Sequence, residues 1–223
     1  MFEYGGLLFS YVGHACFLIR GQKTLCTDPF DVKRGVEKAD VITCSHDHFD
    51  HCSPSDMKKF VKDSTVVLAS INCRGKITGL KVKDISYIKP GDSAEVSGVK
   101  FTAVPAYNVN KFRSPGVVYH PKEYRGIGII FELGGVRIYH AGDTDVIPEM
   151  SELGKVDVAL LPVSGTYVMT AQEAADAVKL IKPMVAIPMH FGSIVGGIDD
   201  ARKFKEMVEA ETETKAVVLE RGG

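Results

Sequence analysis

An apolar run, Val-Ile-Thr-Cys at residues 41–44, leads directly into Ser-His-Asp-His-Phe-Asp-His at 45–51. Three histidines and two aspartates within the six residues 46–51 make poor packing material beside a core. Each such group must be hydrated, paired or bound to something. The fold is therefore constrained to bury the strand while bringing its polar end to a place where the cluster is held.

Two later segments end the same way. VRIYHAGDTD at 136–145 carries His140 and Asp143 behind an apolar strand, and MVAIPMHFG at 184–192 carries His190. Neutral imidazole and carboxylate are the usual nitrogen and oxygen ligands of a divalent metal. His46 and His48, two apart on an extended segment, point the same way and can share one ion. Asp50 and His51 follow after the chain turns and can address a second position nearby. His190 reads as a ligand delivered from a third strand end, whereas His140, inside a strand pattern, reads as a core histidine or one that supports a ligand. Asp143 in Gly-Asp-Thr is open to two readings, a ligand or the cap of a following helix.

Around these segments the chain divides into two textures. Short β-like runs at 7–12, 15–20, 23–28 and 41–44 are bounded by Gly, Pro or Asp. A helical stretch at 55–62 follows, then strands VVLAS, DISYI, KFTAV, GIGIIFEL and VRIYHA, with Gly134-Gly135 as a hairpin signal. From about residue 146 helices and strands alternate: a short helix near 147–153, strand DVALLP, helix 171–181, strand MVAIP, helix 199–209 and strand KAVVLE. Thr170 and Glu173 have capping-box spacing, and Pro183 ends that helix. No Pro/Ser-rich linker separates the halves, which favours one domain over residues 1–223, an α/β (α+β) fold of two sheets face to face with helices outside. Residues 106–125 are the long irregular piece, placed to cover a site.

The histidine cluster and the two later motifs resemble the metallo-β-lactamase superfamily: SHDHFDH is similar to its HxHxDH signature, and AGDTD and PMHFG to its later aspartate and histidine motifs. Within it, VGHACFLI, TDPF, LLPVSGTY, AQEAADAVKLIKP and IPMHFG resemble small single-domain hydrolases of the ascorbate-phosphate lactonase type. The resemblance implies a four-layer αββα sandwich of two mixed sheets with a metal site at one edge. It places His46 and His48 at a first divalent metal, Asp50, His51 and His190 at a second, and Asp143 as the bridge. Asp28 matches an aspartate that braces the histidine loop. One or two ions, zinc or manganese, are implied, with Asp50 and Asp143 as the catalytic carboxylates.

One position departs from the family pattern. Its third histidine for the first metal follows a Pro-Ala-aromatic step, and here that step is VPAYN, which puts Asn108 in the place. An amide oxygen is a weaker ligand, so the expectation is a looser first site or a harder ion such as manganese. His120, on the same loop, either replaces the missing ligand, meets the substrate or is simply exposed. His14 in Gly-His-Ala-Cys is expected beside the site, supporting a ligand, touching substrate or serving structure.

The resemblance implies hydrolysis by metal-activated hydroxide, with a lactone or other ester of a small, phosphorylated or unphosphorylated, metabolite as first choice. A phosphodiester is the alternative, and a non-catalytic metal-binding or sensor protein the rival from another class. Lys111, Arg113, Lys122 and Arg125 are candidate contacts for phosphate or carboxylate, each equally readable as solvated surface. Lys plus Arg number 27 against 28 Asp plus Glu, a net charge of -1 that gives no field to attract nucleic acid or an anionic membrane. The start of the chain shows no secretion signal and no run reaches membrane-spanning length. The expectation is a cytoplasmic protein with a small-molecule substrate, neither nucleic acid nor membrane as partner, and homo-oligomerisation left open. The five cysteines form no CxxC pair, so reduced thiols are expected, with Cys52 as buried filler in preference to a ligand.

Overall fold

Successive side chains of a strand face opposite sides, and the strands over residues 24–27 and 41–44 bury both. The computed structural model describes residues 1–33 and 36–222. Its first sheet has the order β1 (Phe2–Tyr4), β2 (Leu7–Gly13), β3 (Cys16–Arg20), β4 (Thr24–Thr27), β5 (Val41–Cys44), then, beyond helix α1 (Pro54–Phe60), β6 (Val66–Ser70) and β7 (Asp84–Ile88). Pairing is antiparallel up to β4 and parallel from β4 to β7. Phe17, Ile19 and Leu25 turn inward, while Cys16, Leu18, Cys26 and Ile42 turn outward and are closed over by Met57 and Phe60 of α1.

The second sheet repeats the plan. Strands β8 (Ser93–Val96) and β9 (Val99–Pro105) precede a small ribbon of β10 (Phe112–Ser114) and β11 (Val117–Val118). Then come β12 (Ile127–Leu133), β13 (Val136–His140), β14 (Val158–Pro162), α2 (Ala171–Ile181), β15 (Val185–Met189), α3 (Ile198–Glu211) and β16 (Lys215–Ala216). The order is β16-β15-β14-β13-β12-β9-β8, antiparallel among β8, β9, β12 and β13 and parallel from β13 to β16. Phe101, Phe131 and Ile138 meet the first sheet in the shared core, and Val178 of α2 with Phe204 and Val208 of α3 belongs to the same apolar cluster. The result is the expected αββα layering.

Local chemistry accounts for the element ends. Thr170 and Glu173 form the expected reciprocal cap on α2, and Gly134-Gly135 makes the β12–β13 turn with φ of +59° and +80°, a pair of conformations only glycine adopts freely. The short helix expected near 147–153 is a five-residue 3₁₀ helix, Pro148–Glu152. The last strand, expected over 215–220, stops at Ala216 because the chain leaves the sheet to brace the other one. There Arg221 Nε donates to Val12 O and Gly222 N to Tyr11 O, both at 2.9 Å. Strands β1 and β8 and the β10–β11 ribbon go beyond the sequence expectation. All five thiols are free and packed in the outer cluster. No helix among the described residues is long and apolar enough to cross a membrane.

Candidate metal centre

Groups lying beyond the carboxyl ends of parallel strands gather at one edge of a sheet, and here three such ends converge. Residues 45–51 follow β5, Asp143 follows β13 after Ala141-Gly142, and His190 follows β15 directly. His14 joins them from the β2–β3 turn, where its carbonyl accepts from His190 N at 2.6 Å. Gly142 sits at φ +64°, and a Cβ there would lie 2.7 Å from Ile127 O. A side chain is excluded, and the tight turn carries Asp143 into the cluster.

The imidazoles and carboxylates fall into two groups that share one residue. His46 Nε2 lies 3.0 Å from His48 Nδ1, and His120 Nε2 lies 3.2 Å from the same atom. Asp143 Oδ2 faces this group, 3.8 Å from His46 Nε2 and 3.5 Å from His120 Nε2. Its other oxygen, Oδ1, lies 3.2 Å from His51 Nε2 and 3.3 Å from His190 Nε2. Asp50 Oδ2 completes the second group, 3.7 Å from His51 Nε2 and 3.0 Å from His14 Nε2.

Four of the rings have a support that fixes which nitrogen faces inward. His51 Nδ1 donates to Asp28 Oδ2 at 2.7 Å, and Asp28 is itself held by Ser45 N and Ser45 Oγ at 2.8 and 2.5 Å. His46 Nδ1 lies 3.0 Å from Ser45 Oγ, and His190 Nδ1 lies 3.0 Å from Ser164 Oγ. His120 Nδ1 donates to Asn108 Oδ1 at 2.8 Å. Such contacts leave the opposite nitrogen's lone pair for a ligand role.

The inward atoms have the chemistry of a cation site. His51 Nε2, His190 Nε2 and Asp143 Oδ1 are buried without a hydrogen-bond partner among the described residues, although each imidazole nitrogen sits within 3.3 Å of the carboxylate oxygen. Three adjacent orphaned donors and acceptors would be costly unless a common ion satisfied them. Burial opposes the Asp143 charge, yet His190 and His51 hold its carboxyl well below the ordinary range. Burial, reinforced by His51, keeps His46 neutral well below the usual imidazole range. Burial also draws His120 down to about 4, against the pull of Asp143. For His46 and His120 the neutral ring, and for Asp143 the ionised carboxylate, are the protonation states that ligation requires. At His51 burial opposes the charge, but Asp143 and Asp28 hold the ring well above the usual imidazole range, so an ion bound there would have to displace its proton.

The structure brings His46, His48, Asp50, His51, Asp143, His190, His120 and His14 together, in groups whose ligand-type atoms lie within 4.8 Å of each other. Asn108 does not reach them. Its Oδ1 accepts from both His120 N and His120 Nδ1, at 2.9 and 2.8 Å, and its Nδ2 donates to Tyr167 O at 2.9 Å. The amide is spent on orienting the histidine twelve residues on, so the reason for a looser first site falls away. Asp143 faces the cluster and caps no helix. His140 is satisfied in the core by Ala15 O at 2.9 Å. Ser45 and Ser164 as ring supports had no signal beyond their proximity in sequence or motif. The cavity walls Phe49, Tyr119, Tyr167 and Ile194 gave none at all.

Two mixed sheets with an imidazole-carboxylate cluster at their common edge define the metallo-β-lactamase fold class. A sequence-family profile described as "Beta-lactamase superfamily domain" matches residues 8–190, and the chain belongs to this superfamily. A UPF0173 metal-dependent hydrolase of Thermococcus kodakarensis is 34% identical, with 95% of this chain and 96% of the relative aligned. One from Pelotomaculum thermopropionicum is 32% identical over 96% of each chain. The crystal structure of a Parabacteroides distasonis protein superposes with a TM-score of 0.82 at 29% identity, covering 96% of this chain and 94% of the other. With these relatives the chain falls among the metal-dependent hydrolases.

Proposed function

We propose that this protein hydrolyses a lactone or other ester of a small metabolite, using two divalent ions held by His46, His48, His120 and by Asp50, His51, His190, with Asp143 shared. The observation that carries the reading is the division of Asp143, one oxygen toward each histidine group. Zinc is the first choice of ion, because imidazole nitrogens predominate and His120 takes the place expected for a weaker amide ligand. Manganese is the second. Bound here, such ions supply Lewis acidity and lower the pKa of water to about 7.

The protein's own groups do the rest. Burial works against the Asp50 charge, but the His14 hydrogen bond and the His51 ring hold its carboxyl down to about 2. Asp50 is thus an anion at neutral pH, lining the cavity, where it can accept a hydrogen bond from an attacking water and orient it. The same contact fixes that carboxylate's direction: His14 Nε2 donates to it, and His14 is itself locked by the His190 amide. Asp28 and Ser45 hold the histidine loop in register beneath it.

The test is metal analysis of the purified protein together with turnover of δ-lactones and aryl esters. Two ions per chain are expected, with activity abolished by chelator and by Asp50→Ala. Chelation should also lower the thermal midpoint, since the ions bind only the folded state. Full metal occupancy with no turnover of any lactone or ester would overturn the reading in favour of a non-catalytic metal protein.

A further inference from the structure

The cavity beside the cluster has a volume of about 230 Å³. Away from the imidazoles and carboxylates its walls are Phe49, Tyr119, Tyr167 and Ile194. Tyr119 and Tyr167 pack edge to face with centroids 4.7 Å apart, and Phe49 packs edge-on against Phe30 at 5.5 Å. Phe49 is 68% exposed and Ile194 40%. Large apolar side chains left in water at the rim of a cavity mark a surface that receives an apolar ligand.

Cations are missing where a phosphorylated substrate would need them. No lysine or arginine among the described residues lines this cavity. Lys111 is buried against Glu173 and Asp145, at 2.8 and 3.4 Å. Lys122 pairs with Glu149 at 2.7 Å and, together with Arg125, lines a different cleft. Arg113 lies on the exposed ribbon strand β10. The charges the chain itself places at the wall are the carboxylates of Asp50 and Asp143.

Resting on the hydrolase reading above, we propose that the substrate is a neutral lactone or ester whose non-reacting part is a small apolar or aromatic group, and that phosphorylated sugar acids are rejected. The ions at the cluster would face the scissile carbonyl and leave the far end of the substrate to the tyrosine and isoleucine walls. A phosphate monoester placed there would lose its hydration with no partner in return. An alkyl chain or ring would be taken out of water against side chains that match it.

The experiment compares two δ-lactones with the metal-loaded protein. One carries a pentyl chain on the carbon beside the ring oxygen, and the other, glucono-δ-lactone 6-phosphate, carries a phosphorylated carbon there. The expected kcat/KM is higher for the alkyl lactone by about 10-fold or more. Ile194→Lys, which sets a cation on the wall, should shrink or reverse that ratio with metal content retained. Tyr167→Ala should raise KM for the alkyl lactone. Equal rates, or preference for the phosphorylated lactone, would overturn this inference and leave the hydrolase reading standing. Turnover of neither by protein with both ions bound would overturn this inference, and the hydrolase reading falls with it only if the aryl esters are left intact as well.

Discussion

The two halves of the cluster are built in different ways from the same ligand chemistry. The half containing His51 and His190 has both of its rings fully buried and stands on strand ends, with Asp28, Ser45 and Ser164 behind them. The half containing His46, His48 and His120 includes an exposed ring, His48, and takes its third imidazole from the irregular segment 106–125. That segment needs its own fastening. Asp145 Oδ2 accepts from Val109 N and Asn110 N at 2.7 and 2.9 Å, Lys111 is clasped by Glu173, and Asn108 ties His120 to Tyr167 O. One half is fixed by sheet geometry and the other by a small polar network, so they should differ in how they fail.

Asp143→Asn tests the link between them and should have the largest effect. Hydrolysis should fall by more than the roughly 100-fold that marks the upper range for losing a supporting hydrogen bond, with metal lost from both positions in elemental analysis. Retention of two ions would break the idea of a shared carboxylate. His120→Ala should act on one half only, lowering the stoichiometry from two ions toward one. Asn108→Ala and Asp28→Asn form a matched pair, each removing a ring support and each expected to weaken its own ion by about 10- to 100-fold. Titration with a competing chelator would show whether the strand-end half is the better buffered.

The smallest effect belongs to the loop's fastening. Burial works against the Glu173 charge, but Lys111, the Thr170 amide and Asn110 hold its carboxyl down to about 2. A depressed carboxylate stabilises above its ordinary range near 4.3, and the contribution is lost as pH falls from there toward about 2. Urea unfolding of the parent and of Glu173→Gln should differ by about 1 kcal/mol or less at neutral pH, and converge in acid. A gap that widens on acidification would exclude the Lys111 contact as its source.

How much of this could be read beforehand follows the same division. HxHxDH lies within six residues, so its geometry is set by one strand end and one turn, and the sequence displays both. His190 was legible because it follows an apolar strand directly, whereas Asp143, three residues past the end of its strand, read equally as a helix cap until the family resemblance assigned it to the metals. His120 as the replacement ligand was legible only as one of three choices and its partnership with Asn108 not at all, since both depend on how the chain doubles back through a ribbon of strands two and three residues long, too short to leave a periodic signal. The strand KAVVLE was overextended because its apolar side chains serve a contact with the opposite sheet, and pattern alone does not distinguish that from a ladder.

Among the described non-glycine residues with positive φ are His14, Asp28 and His190, at +56°, +35° and +61°. That backbone region disfavours any side chain by about 1–2 kcal/mol. Glycine at 14 or 190 would ease the main chain and contribute nothing to the chemistry. The chain thus keeps three uncomfortable residues where they are useful, and a search for heat-resistant variants of this protein would be drawn to the very positions whose replacement silences it.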